Sequence, residues 1–145
     1  MKARRFVAVL LWVMLLPCVV SGQDFKKSEA KISEYKKWLD QVGENGYRFW
    51  VKLDRTHHPS RLYVGEGFDR ATDETKQQFV ETFSRYLAGH PEKHRLIDLF
   101  DGLTGIPIGE YGWGGFKLYP SYRRLIKQRF ITRQRQPLAH KGLAR

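Results

Sequence analysis

The sequence predicts an α+β domain, with helices covering one face of a mainly antiparallel four-stranded sheet. Three observations carry that prediction. Two segments, 24–42 and 72–88, place apolar side chains at three- and four-residue spacing, as amphipathic helices do. Each is followed by runs of two-residue alternation broken by short turn clusters, the pattern of half-buried hairpin strands. Beyond the leader-like N-terminus roughly 120 residues remain, enough for one core and too few for two. With 14% aromatic residues, that core has large rings to bury.

The first helix is expected from Asp24 to Val42. Phe25, Ile32, Tyr35, Leu39 and Val42 form its apolar stripe, and Gly43 and Gly46 stop it. Tyr47, Phe49, Val51 and Leu53 then alternate with Arg48, Trp50, Lys52 and Asp54, which predicts a strand with the first set on one face. "RTHHPS" turns the chain, and Arg61 to Phe68 returns as a second strand carrying Leu62, Val64 and Phe68 on one side.

The second helix has the clearest punctuation. Thr72 suits the N-cap, and Asp73 and Glu74 suit the positive first turn. Phe79, Val80, Phe83, Tyr86 and Leu87 make one stripe, and Gly89 and Pro91 end the helix. Replacing Lys76 by Ala is expected to cost almost nothing. His94 to Asp101 forms a third strand, "DGLTG" turns, and a fourth strand from Ile106 runs into the Gly-aromatic segment "GEYGWGGF".

The order is therefore helix, hairpin, helix, hairpin, and its halves match loosely. "YKKWLDQ" stands against "FSRYLAG", "RFWVKLD" against "RLIDLFD", and "VGE" against "IGE", which raises an internal duplication.

Residues 1–22 read as a Sec-type signal peptide. Lys2, Arg4 and Arg5 precede an uncharged run from Phe6 to Val20, and small residues at Ser21 and Gly22 suit cleavage before Gln23. The run is too short to span a bilayer core of about 30 Å. A periplasmic or secreted location in a bacterial envelope is the expectation, because Cys18 is the only cysteine and lies within this leader. The mature chain then has no disulfide and no thiolate ligand.

Candidate chemistry is sparse. Glu66 and Glu110 each follow a Val-Gly or Ile-Gly at an expected strand end. If the halves were related by a two-fold axis, these carboxylates would pair, as in a cell-envelope glycan hydrolase. Asp98 interrupts "LIDLF" and is a candidate buried carboxylate, with a structural role the simpler reading. His57, His58, His90, His94 and His140 have no metal-ligand spacing, so neither a metal nor another cofactor is expected. Tyr111 and Trp113 could stack on a ligand or finish the core.

Charge is the strongest functional signal. The formal net charge is +11, yet from Gln23 to Phe116 fourteen basic residues face fifteen acidic ones. From Lys117 to Arg145 there are nine Lys and Arg and no acid. After Pro120, Tyr122, Leu125, Ile126 and Phe130 recur at helical spacing, while Arg123, Arg124, Lys127 and Arg129 take other positions. The chain thus divides into the signal peptide (1–22), one α+β domain (23–119) and a basic amphipathic segment (120–145). Arg123, Arg124, Lys127 and Arg129 are expected to contact an anionic envelope surface, by peripheral membrane contact, or an acidic protein. Export takes the protein away from nucleic acid. The function expected is a binding module rather than an enzyme, with a domain that folds without residues beyond Pro120.

Overall fold

The computed structural model describes residues 20–42 and 46–135. Residues 1–19 of the expected signal peptide, Gly43 at the end of the first helix, and His140 lie outside them. The described chain is α+β: four helices and a five-stranded mixed sheet. Helix α1 is Val20–Gln41, followed by strands β1 (Trp50–Asp54) and β2 (Ser60–Val64). A short helix α2 (Glu66–Arg70) and the long α3 (Asp73–Ala88) come next. Strands β3 (Ile97–Asp101), β4 (Pro107–Gly112) and β5 (Gly115–Leu118) lead to the C-terminal helix α4 (Pro120–Arg135).

The strands lie in chain order across the sheet, and all neighbours are antiparallel except β2 and β3, which are parallel. The sheet is mainly antiparallel, as expected, but it has five strands rather than four, and the β2–β3 pair makes it mixed. Parallel neighbours need a crossover, and α3 supplies it. The fifth strand arises because Gly112, Trp113, Gly114 and Gly115 turn the chain, with Gly115 at φ 84° where a side chain would be strained. The two helix-hairpin units consequently sit side by side across the sheet, with no two-fold axis between them.

Burial places the core on one face. Leu62 and Val64 of β2, Ile97 and Leu99 of β3, and Ile108 of β4 meet Leu39, Phe68, Phe79, Val80, Phe83 and Tyr122, so every helix contributes. Thr72 caps α3 by accepting from Thr75 N at 3.3 Å, and Gly89 closes it in the left-handed conformation. Between the caps, Phe79 and Phe83 pack with ring centroids 5.7 Å apart.

Three local expectations change. A bulge between Trp50 and Lys52 shifts the phase of β1, so Trp50 and Leu53 face the core and Val51 is exposed. "VGEGF" does not continue the second strand but turns into α2. Gly65 N and Gly67 N donate to Phe49 O and Arg48 O at 2.9 Å, an approach so close that a Cβ at either glycine would strike the facing backbone. Lys76 is only 7% exposed, its stem covered and its ammonium 5.5 Å from the Tyr122 ring centroid.

Candidate functional site

Helix α4 starts at Pro120, whose fixed φ and missing N–H suit a first helical position. Its inward stripe is Tyr122, Ile126, Arg129 and Arg133, at spacings of three and four residues. Tyr122 is 2% exposed, and Ile126 packs against the core beside it. Tyr122 Oη donates to Asp69 Oδ1 at 2.9 Å. Two turns further, Arg129 spans two carboxylates, donating to Asp69 Oδ2 at 2.8 Å and to Asp101 Oδ2 at 2.6 Å. Thr104 donates to Asp101 from its backbone N at 2.8 Å and also from its hydroxyl. At the next turn Arg133 donates to Glu66 Oε1 at 2.5 Å, where Arg70 also donates from Nε at 2.9 Å.

The electrostatics follow the geometry. Burial pushes the Asp101 carboxyl up, but Arg129 and the two Thr104 donors outweigh it and leave it below the usual range. Asp69 goes the other way, because its burial outweighs the Tyr122 hydroxyl and Arg129. Hydrogen bonds from Arg133 and then Arg70 hold Glu66 down at about 2. Burial beside Asp69 pushes the Tyr122 phenol well up.

Glu66, Asp69, Arg70, Asp101, Arg129 and Arg133 line a small cleft, open to solvent, at the C-terminal ends of β2 and β3 between α2 and α4. Such ends are where ligands often enter α/β sheets. Here Glu66, Asp69 and Asp101 are already matched by Arg70, Arg129 and Arg133, so the cleft anchors a helix. Among the described residues, no group of three or more His, Cys, Asp or Glu could hold a metal ion.

The expected cationic set divides. Arg129 faces inward and is held by Asp69 and Asp101. Arg123 reaches Asp73 at a loose 3.8 Å, with both side chains mostly exposed. Arg124 and Lys127 are exposed and have no carboxylate within 4.0 Å among the described residues. Beyond them Ile131 is 41% exposed on the outer surface, whereas Phe130, 43% exposed, stands at the mouth of the cleft beside the packed stripe.

Glu66 and Glu110 are not brought together. Glu66 opens α2 beyond the end of β2, whereas Glu110 lies within β4 opposite Asp98 and accepts from Tyr119 Oη at 3.0 Å. In register Glu110 is level with Arg61, about 10 Å short of the end of β2 beyond which Glu66 lies, and two strand spacings, about 10 Å, away across the sheet. Asp98 is half-buried, and burial, then the Glu110 charge, raises it against the pull of Arg61. Tyr111 is directed to the core side, its hydroxyl 3.0 Å from His94 Nδ1, while Trp113 stands 97% exposed at the β4–β5 turn.

The anchoring carboxylates Asp69 and Asp101 escape sequence reasoning, because they are distant in the chain from Arg129. A signal did exist: Tyr122, Ile126, Arg129 and Arg133 share one helix face, which a purely apolar stripe overlooks. No known protein family, characterised protein or solved structure matches the chain.

Proposed function

We propose that the protein is an exported, non-enzymatic binding module that docks on an anionic envelope surface through the outer face of α4. The observation that carries this reading is the company kept by two exposed apolar side chains. Ile131 shares the outer helix surface with Arg124 and Lys127, seven and four residues away, and Phe130 borders it three residues from Lys127, at the cleft mouth. Cations with apolar side chains between them suit the boundary of headgroups and acyl chains. The inward cations are neutralised by the domain, which leaves the outward ones available to a partner.

Each cation near an anionic bilayer contributes about 1 kcal/mol. Replacing Arg124 and Lys127 with Gln should therefore weaken partitioning onto phosphatidylglycerol vesicles by roughly thirtyfold. Phosphatidylcholine vesicles should bind neither form. Co-sedimentation of the chain from Gln23 onward measures this, with thermal melts to verify folding. Unchanged binding by a folded double variant would overturn the reading. No separate observation favours glycan hydrolysis, since Glu66 and Glu110 stand apart and Glu66 is held by two arginines.

A further inference from the structure

The sheet face turned away from the helices carries one charged row across all five strands. Successive register partners are Asp54 and Arg61, Arg61 and Asp98, Asp98 and Glu110, then Glu110 and Lys117. Alongside runs an aromatic row in which Lys52 pairs with Tyr63, and Tyr63 with Phe100. The Tyr63 and Phe100 rings stack at 5.3 Å, with the Arg61 guanidinium 5.3 Å from the Phe100 centroid.

The charges in the first row run minus, plus, minus, minus, plus. Although neighbours in register, Arg61, Asp98, Glu110 and Lys117 form no ion pair within 4.0 Å among the described residues. Like charges directly opposite one another, as Asp98 and Glu110 are, work against a sheet unless something compensates. The row therefore holds four charges of both signs without an ion pair, in fixed order beside a flat aromatic pair, while Asp54 at its end accepts from Thr56 and lies 3.2 Å from His57 Nδ1.

We propose that this face is a dimer interface, occupied by the same face of a second copy. A two-fold axis running parallel to β3 between two facing sheets reverses the row. It sets Arg61 against Glu110 of the second copy, Lys117 against its Asp54, and Phe100 against its Phe100. Four of the five contacts across the row become attractive, and the single like-charge contact is Asp98 on its own counterpart. The opposite choice, an axis across the strands, stacks every charge on itself. Facing sheets cross at about 30°, so the central pair of Arg61 and Glu110 stays aligned while the outer pair diverges. The face is about 24 Å by 17 Å from strand spacing and length, at the small end for an interface, so association should be weak.

The test is sedimentation equilibrium of the chain from Gln23 onward, from about 10 µM to about 1 mM, the range in which a weak interface is populated. The wild type should show a reversible monomer–dimer equilibrium. Arg61→Glu and Glu110→Arg should each weaken it by tenfold or more, and combining them should restore it to within about threefold. Lys117→Gln, at an exposed edge-strand position, removes the cation without setting two like charges opposite each other and should weaken it by a few fold. Asp98→Asn, which removes the like-charge contact, should tighten it. A wild type that stays monomeric at 1 mM, or folded single variants whose combination fails to restore association, would overturn the proposal.

Discussion

Arg129 lies 28 residues beyond Asp101 in the chain, yet its Nη2 donates to Asp101 Oδ2 at 2.6 Å. Asp101 is only 2% exposed, so this guanidinium is its principal compensating charge. The same arginine reaches Asp69 with its other nitrogen, and Tyr122 holds the second oxygen of Asp69. The C-terminal helix is thereby fastened to the ends of two central elements, and its basic character has two separate uses.

Removing the inner use should be costly. Arg129→Met leaves Asp69 and Asp101 facing each other without a cation, which should destabilise the domain by about 3–5 kcal/mol. Arg129→Lys should recover only part of that, because one ammonium cannot span two carboxylates as a fork does. Denaturant melts at neutral pH measure both. A loss below about 1 kcal/mol for the Met variant would mean the bridge contributes little.

Cutting the chain after Pro120 should now be expected to unfold or strongly destabilise the domain, since Tyr122 and Ile126 belong to its packing. Tyr122→Phe isolates the polar part of that contribution. Losing its hydrogen bond to the Asp69 carboxylate should cost about 1.5–3 kcal/mol while the ring stays packed. Circular dichroism melts of the truncated chain and of this variant test the two statements separately.

Acid should expose opposite slopes from two carboxylates. Glu66 titrates at about 2 when folded against an ordinary 4.5, so between those values the unfolded chain binds the extra proton. Its contribution to stability is present above 4.5 and is lost as pH falls toward 2. Asp69 is raised above its ordinary 3.8, so its contribution shrinks as pH climbs from that value through the folded pKa. Urea melts across this range should show a flatter acid loss for Glu66→Gln and a steeper one for Asp69→Asn. Identical slopes in the two variants would refute the assignment.

The packing of α3 predicts unequal costs along one helix. Phe79→Ala and Phe83→Ala should each cost about 3–5 kcal/mol, because each opens a cavity between α3 and the sheet. Lys76→Ala should cost about 1 kcal/mol, from the lost cover its stem and ammonium give to Phe68 and Tyr122. Gln77→Ala, on the exposed side, should fall within about 0.5 kcal/mol of the wild type.

What could be read from residue order alone was local. The period of Phe79, Val80, Phe83 and Tyr86, the Thr72 cap and the Gly89 stop define α3, because helix periodicity and capping act within a few residues. The charge division near Lys117 is likewise a property of the chain itself. Tertiary structure decided which partners those local pieces meet. Alternation in β2 and β3 says which side chains share a face, but hydrogen bonding between strands is indifferent to chain distance, so parallel pairing emerged only with α3 as a crossover. Arg129 looked like its exposed neighbours because every cation on a helix reads alike in sequence. Only the approach of Asp69 and Asp101, brought there by two other elements, turned it inward and left Arg124 and Lys127 facing out.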